Sequence, residues 1–224
     1  INQINFIDSA ITIATIPKWS LVKKNEMIAT VKIIPFAVEP DLIKKFKLIN
    51  INKNPVIEVV AITPHKVGVI ITKFPTTKEK IIEKSSQNIN KRVNSHNSEV
   101  HKEIICNHNI NEISNSIQNL IKIKCSPILI SGASAIVDSM DIIPMSIKKS
   151  GGKIIHFGMP VDPGNLILIA ENKNTPIIGL PGCARSLKLN GFDWVLWRIL
   201  ADIKIFPQDI QMLGTGGLLK EIKS

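Results

Sequence analysis

Residues 127–157 read PILISGASAIVDSMDIIPMSIKKSGGKIIHF and combine a strand, a loop of small residues, a short helix and a second strand. The apolar run 127–131 does not alternate with polar residues, which is typical of a strand buried on both faces. The helix predicted at 141–150 ends at the pair Gly151-Gly152. A strand, helix and strand of these lengths predict two parallel strands joined by a crossover helix.

The same alternation continues in both directions along the chain. Further strands are predicted at 66–72 and 99–106, and a hairpin at 166–170 and 176–180. Helices are predicted after a cap at Thr76 or Thr77, after Asn109 or Asn111, and at about 186–201. The sequence therefore predicts an α/β domain, a mostly parallel open sheet with helices on both faces, at residues 63–205.

The first 62 residues predict a small β-rich module that precedes this domain. Strand-like runs lie at 10–16 and 28–34, with another candidate at 56–62, and prolines punctuate the region as in a non-helical module. Residues 206–224 form a predicted C-terminal tail. No internal repeat is evident.

Composition is that of a globular protein, with 44% apolar and 21% charged residues in 224. The longest apolar runs fall far short of the roughly 18 residues of a membrane span, so no membrane association is predicted. The chain begins at Ile1 without a signal-peptide pattern, and we expect native sequence upstream. Three widely spaced cysteines argue against a disulfide framework and favour a reducing, cytoplasmic location.

A net charge of +10 raises the possibility of nucleic-acid binding. The lysines are scattered, however, aromatic residues are 4% and tyrosine is absent, so stacking platforms for bases are scarce. We predict no specific nucleic-acid partner, because that class requires a contiguous basic face. Attraction to small anionic ligands remains.

Ligands of open parallel sheets lie beyond the carboxyl ends of the strands. Three predicted loops end there: 131–141, 158–165 and 181–188. In the first, Asp138 and Asp141 can hold a divalent metal or serve as helix caps; the cap is favoured for Asp138, and the two alternatives are equal for Asp141. The second, with two prolines and two glycines, is a pocket wall or an ordinary connection.

The third loop contains Arg185 and Lys188 before a predicted helix, whose free amides carry partial positive charge. An oxyanion site and a plain helix start capped by Ser186 are equally compatible with this pattern. Cys183 near the helix start favours a thiolate, but no neighbouring histidine supports a nucleophile. His156 on an apolar strand is interpreted as structural. The apolar last helix indicates core packing or a homo-oligomer contact.

Together these segments resemble the molybdopterin-binding family, which includes molybdopterin molybdotransferase and molybdopterin adenylyltransferase. Ser131-Gly132-Ala133-Ser134 followed by Asp141, then Pro163-Gly164, then Leu180-Pro181-Gly182, looks like the family order over about 66–200. Longer strings resemble a bifunctional group in which this domain precedes a nucleotidyltransferase domain of the molybdenum cofactor cytidylyltransferase type. They are HFGMPVDPGN at 156–165, GLPGCARS at 179–186 and LNGFDWV at 189–195.

The resemblance implies a pterin phosphate ligand, molybdopterin, with Mg²⁺ as a further candidate, and a fused or partner nucleotidyltransferase domain. The residues implied in cofactor binding are Ser131, Gly132, Ala133, Ser134, Pro163, Gly164, Gly182, Cys183, Ala184, Arg185 and Ser186. Asp141 and Asp138 are the catalytic candidates, with Asp141 also the metal ligand.

Three positions depart from the family pattern. Ala133 replaces a second loop glycine, Lys73-Phe74-Pro75 replaces a Gly-Asp-Glu, and Asp141 is one residue farther from Gly132 than expected. Amides and cations alone can bind a phosphate, whereas metal insertion or adenylylation needs a placed carboxylate. Two functions are therefore expected as alternatives: a binding module of cofactor biosynthesis, or an active transferase on molybdopterin.

Overall fold

The computed structural model describes residues 1–49 and 55–219. It divides the chain into two compact units, Ile1–Val60 and Ala61–Ser224. Residues 220–224 of the predicted tail and 50–54 of the predicted first module lie outside the described residues.

The first unit is a two-stranded antiparallel sheet with two helices. Its elements are α1 (Asn2–Asn5), β1 (Ile11–Thr15), β2 (Ala29–Ile33) and α2 (Pro40–Ile49). The carboxamide of Asn5 ties α1 to β1, because it donates to the carbonyl of Ile13 at 2.8 Å and accepts from its amide at 2.9 Å. The two strands confirm the β-rich prediction.

Two details predicted for this region are wrong. The region is not free of helix, because Pro40 is the first residue of α2, a position where its fixed φ suits a helix and its missing N–H is not needed. The candidate strand at 56–62 does not form. Its residues are mostly exposed, and none pairs with a strand in the described part of the chain.

The second unit alternates strands and helices. Its elements are β3 (Lys66–Lys73), α3 (Glu79–Asn94), β4 (Glu99–Asn107), α4 (Ile110–Lys122), β5 (Ile128–Ser131), α5 (Ile142–Lys149), β6 (Lys153–Phe157), β7 (Leu168–Asn172), β8 (Thr175–Gly179), a 3₁₀ turn (Gly182–Arg185), α6 (Gly191–Leu200) and α7 (Pro207–Gln211). The six strands form one sheet in the order β4-β3-β5-β8-β7-β6. The fold class is the predicted one: α/β with a mostly parallel sheet.

Only β7 runs against the other strands, since it pairs antiparallel with both β8 and β6. The predicted hairpin of β7 and β8 is confirmed. Its turn residues Lys173 and Asn174 both have positive φ, 48° and 66°, as two-residue hairpin turns require. The carboxyl ends of β3, β4, β5, β6 and β8 therefore share one edge of the sheet.

Successive strand residues face opposite sides of this sheet, and both sides are apolar. Val69 and Leu129 pack with α3 and α6 in one cluster, whereas Ile70 and Ile128 pack with α4 and α5 in the other. A strand buried on both faces reads as a continuous apolar run, which is the pattern seen in the sequence. Among the described residues no helix is long and apolar enough to cross a bilayer.

Two predicted helix starts are corrected. The N-cap of α3 is Lys78 rather than Thr76 or Thr77, and the Thr77 hydroxyl instead accepts from the amide of Phe74 at 2.9 Å. The helix predicted at about 186–201 is α6, and it begins at Gly191. Asn190 and Asp193 form a reciprocal capping box there, which fixes the start.

The C-terminal end of α3 meets α6 through a histidine. The indole N–H of Trp197 donates to Nε2 of His96 at 2.9 Å, with the rings edge to face. Burial lowers the pKa of His96 below 6.5, and the negative charge of Asp193 opposes this shift. An imidazole that accepts a hydrogen bond at Nε2 must be unprotonated there.

We expect the free energy of unfolding to fall on acidification partly through His96. Since its pKa is lower in the folded state, the unfolded state binds the proton more readily; the stability is complete above about pH 6.5 and declines below it. His96→Gln keeps an acceptor for Trp197 but does not titrate. Denaturant unfolding at pH 7.5 and pH 5.5 should therefore show a smaller loss of stability for the variant. Equal losses in both proteins would contradict this role.

Candidate functional site

A cavity lies at the shared carboxyl edge of the sheet, where β3, β5 and β8 are neighbours. Its volume is about 330 Å³, at the small end of ligand pockets. The polar part of its wall consists of Thr72, Thr76, Thr77, Lys78, Ser85, Ser131 and Arg185. The apolar part is formed by Ile71, Ile81 and Ile82, with Gly132 and Ala133 completing it. The start of α3 and the loop after β5 thus enclose a site with two cationic side chains.

The end of β5 and the loop after it are held by hydrogen bonds to α3 and β3. The hydroxyl of Ser131 lies 2.9 Å from that of Ser85, and the amide of Ala133 donates to Oγ1 of Thr72 at 2.8 Å. Gly132 is required by the loop itself, because an added Cβ would lie 2.6 Å from the carbonyl oxygen of Ser134. Ser131, Gly132 and Ala133, three of the predicted binding residues, therefore line the cavity on a fixed backbone.

Arg185 reaches the cavity from a 3₁₀ turn, not from the end of a long helix. The predicted dipole of a helix starting at Ser186 is therefore wrong for this segment, since α6 begins five residues later. The guanidinium Nη2 donates to the carbonyl of Gly132 at 2.6 Å. Within the described residues this is its one hydrogen bond, so a planar group with five N–H donors retains donors for a ligand.

The turn that carries Arg185 is held in place by a second, buried arginine. Arg92 on α3 is 6% exposed and pairs with Asp193, with 2.7 Å between Nε and Oδ1. Its terminal nitrogens donate to the carbonyls of Ala184, Ser186 and Lys188.

Arg92 was not among the site residues predicted from the sequence, although its position in the pattern of α3 indicates a buried charge. It recurs at helical spacing with Ile89 and Val93 on the inner face of α3. A charged residue on a buried helical face must have a partner, which makes it a marker of a buried network.

The two carboxylates after β5 are occupied within their own loop. Oδ2 of Asp141 accepts from the amides of Val137 at 2.7 Å and Asp138 at 3.0 Å. Oδ1 of Asp138 accepts from the amide of Met140 at 2.6 Å. The cap favoured for Asp138 is wrong, because Asp141 occupies the N-cap position of α5, without a side-chain bond to the helix. In the described part of the chain no group of three or more metal-ligating side chains is present.

Seven of the predicted binding residues do not line the cavity: Ser134, Pro163, Gly164, Gly182, Cys183, Ala184 and Ser186. Pro163 and Gly164 instead pack at the start of α6, where the Pro163 carbonyl accepts from the amide of Gly191 at 2.9 Å. Burial raises the pKa of the Cys183 thiol, so the thiolate expected from a helix start is disfavoured.

A histidine that sequence reasoning missed joins the cavity wall to the neighbouring loops. His108 follows β4 directly; its Nδ1 lies 2.7 Å from Oγ1 of Thr72 and its Nε2 lies 3.2 Å from Oγ of Ser134. Burial lowers the pKa of His108, while the charge of Asp141 opposes the shift. Its position after a predicted parallel strand was the available signal, because that is where ligand-facing residues lie.

Comparisons with known proteins give structural similarity only. No protein-family model matches the chain, and no curated protein has significant sequence similarity to it. A molybdopterin biosynthesis MoeA protein from Pyrococcus horikosii is similar at 21% identity and a TM-score of 0.46, covering 62% of this chain and 35% of the other. The protein CinA from Thermoplasma acidophilum, with unknown function, is similar at 14% identity and a TM-score of 0.36, covering 55% and 92%.

The chain thus spans about a third of the length of that MoeA protein. Neither similarity assigns a family or an activity to this chain.

We expect Gly164 to be structural and Gly182 to tolerate a side chain. Gly164 has φ +135°, and an added Cβ would lie 2.5 Å from the amide nitrogen of Gly191, whereas nothing lies within 4 Å at Gly182. Gly164→Ala should lower the free energy of unfolding by about 3 kcal/mol, and Gly182→Ala by no more than about 0.5 kcal/mol. Chemical denaturation of both variants measures the difference. Equal stabilities would mean that the 163–164 turn is not constrained by α6.

Proposed function

We propose that this chain binds molybdopterin, or the molybdenum cofactor, during molybdenum cofactor biosynthesis. The phosphate would lie beside Arg185, with the loop of Ser131 to Ser134 opposite. The observation that carries the proposal is the Arg185 guanidinium in the cavity wall, held by one bond to Gly132 and otherwise available to an oxyanion. The planar guanidinium typically binds phosphate through two parallel N–H donors, like the prongs of a fork.

The chemistry of the cavity wall fits a phosphorylated pterin. Lys78 and Arg185 supply positive charge, and the hydroxyls of Thr76, Thr77 and Ser85 supply donors and acceptors for ring substituents. The start of α3 at Lys78 has no side-chain cap, so this sixteen-residue helix directs the positive end of its dipole to the wall. No carboxylate belongs to the wall among the described residues, so an anion meets no like charge there.

The sequence resemblance extends the proposal to the whole protein. The strings at 156–165, 179–186 and 189–195 resemble a group in which this domain is joined to a nucleotidyltransferase domain. We propose that the cavity holds the cofactor for such a domain, fused or separate. This role requires binding and presentation by the chain, with no chemical step of its own.

A transferase is the second candidate, and Asp141 is the observation in its favour. Its Oδ2 is engaged by two amides, while Oδ1 has no hydrogen bond within the described residues. Mg²⁺ is characteristically held by one or two carboxylates together with substrate phosphates and water. Asp141 would be the carboxylate that holds it, so the present residues fit Mg²⁺ through this one ligand.

Replacement of Arg185 tests the binding site. Arg185→Ala should weaken molybdopterin binding by about 1.5 to 3 kcal/mol, the range for hydrogen bonds to charged groups. Arg185→Lys keeps the charge but not the fork, and should recover only part of the affinity. Lys148→Ala, on the last turn of α5, removes one positive charge elsewhere and serves as the control. Calorimetric titration gives the dissociation constants; an unchanged affinity for Arg185→Ala would place the phosphate elsewhere.

Replacement of Asp141 separates a transferase from a binding module. Asp141→Asn keeps an oxygen that can accept from the amides of Val137 and Asp138 but removes the charge. In a transferase, turnover of molybdopterin with nucleotide or molybdate should drop a hundredfold or more. In a module, binding and stability should each change by no more than about 1 kcal/mol. The wild type is assayed first, because a wild type that binds without turnover supports the module.

A further inference from the structure

His108, in the loop after β4, contacts the end of β3 and the loop after β5. Its backbone N–H donates to the carbonyl of Lys73 at 2.9 Å, which fixes the loop after β4 against the end of β3. Its ring bridges Thr72, a cavity residue, and Ser134, which follows the cavity residue Ala133.

The hydrogen-bond partners of Thr72 favour one of the two neutral forms of the His108 ring. Oγ1 of Thr72 accepts from the amide of Ala133 at 2.8 Å, so its single proton must go elsewhere. Nδ1 of His108 lies 2.7 Å away, whereas the carbonyl of Ser131 lies 3.5 Å away. The shorter distance favours donation from the hydroxyl to Nδ1, and in that form the neutral ring carries its proton on Nε2.

The orientation of Ser134 follows from this assignment. In the form with the proton on Nε2, the ring donates to Oγ of Ser134 across 3.2 Å, and the hydroxyl proton of Ser134 is left for another acceptor. Ser134 lies outside the cavity wall but directly follows the wall residue Ala133 and is exposed, so its O–H is open to a ligand that extends beyond the wall.

We propose that His108 is a positioning residue for the ligand of this cavity: its neutral ring, protonated at Nε2, holds Ser134 as an acceptor and so turns the Ser134 hydroxyl proton toward a phosphate oxygen. The proposal rests on the binding function proposed above. The alternative is that His108 has only a packing role against Phe74; the centroids of the two rings are 5.1 Å apart.

Two variants of His108 separate these roles. Asn places a polar atom near the position of Nδ1 but does not reach Ser134, whereas Gln places an amide N–H near the position of Nε2. Molybdopterin binding, measured by calorimetric titration, should be about tenfold weaker in His108→Asn, the factor for one lost hydrogen bond. His108→Gln should bind within about threefold of wild type. If the Gln variant binds as weakly as the Asn variant, the proposed role of Nε2 is wrong.

A double-mutant cycle with Ser134 tests the path of the effect. Ser134→Ala alters an exposed side chain, keeps the fold, and should weaken binding about tenfold. Because His108 acts through Ser134, His108→Asn in the Ser134→Ala background should add little, so that the double variant is also about tenfold weaker rather than a hundredfold.

The outcomes distinguish this inference from the proposed function. A wild type that binds molybdopterin, with Ser134→Ala unchanged or with multiplicative effects in the cycle, would overturn the role of His108 and leave the binding function standing. A wild type that binds no molybdopterin would overturn both. Melting temperatures of all variants serve as the control for folding.

Discussion

The buried contact between Arg92 and Asp193 is the interaction on which the candidate site depends. Arg92 donates to the carboxylate and to three carbonyls of the segment 184–188, and Asp193 also accepts from the amide of Asn190 to cap α6. Removal of one partner from a buried pair costs about 3 to 5 kcal/mol, because the other charge is left uncompensated. One cation thus joins α3, the 3₁₀ turn and α6.

This arrangement frees a different arginine for binding. Arg92 donates to the Ala184 carbonyl of the turn and to two carbonyls just after it, and Asn88 donates to the carbonyl of Arg185 at 2.5 Å. The Arg185 backbone is therefore fixed, and its side chain extends to Gly132 across the cavity. Binding to a side chain that is already ordered costs less conformational entropy than binding to one that must become ordered.

The glycines of the site illustrate how small residues can have structural causes. Gly132 gives its own loop room to turn, and Gly164 gives the chain room to pass the start of α6. Gly182 has open space around it, so its small size is not needed for packing within the described residues. Small residues near a strand end therefore indicate that other atoms approach the backbone closely there. Only the contacts in the structure show whether those atoms belong to a ligand or to the chain itself.

The sequence alone determined the fold class, because apolar periodicity is a local property of strands and helices. The continuous apolar runs of β3 and β5 predicted burial on both faces, and two apolar runs joined by the polar stretch Glu171-Asn172-Lys173-Asn174 predicted the hairpin; both were correct. It also placed Ser131, Gly132, Ala133 and Arg185 at the carboxyl edge of the sheet. The capping box Asn190-Gly191-Phe192-Asp193 is also visible in the sequence, although the predicted helix start was placed at Ser186.

Only the tertiary structure determined the order of the strands and the partners of the charged and polar side chains. Arg92 and Asp193 are 101 residues apart, and Thr72 and His108 are 36 apart. No periodicity in the sequence carries such pairings, because they depend on which strands become neighbours in the sheet. The site is built from these long-range hydrogen bonds. Its location at the carboxyl edge of the sheet was therefore predictable from the sequence, whereas its residues were predictable only in part.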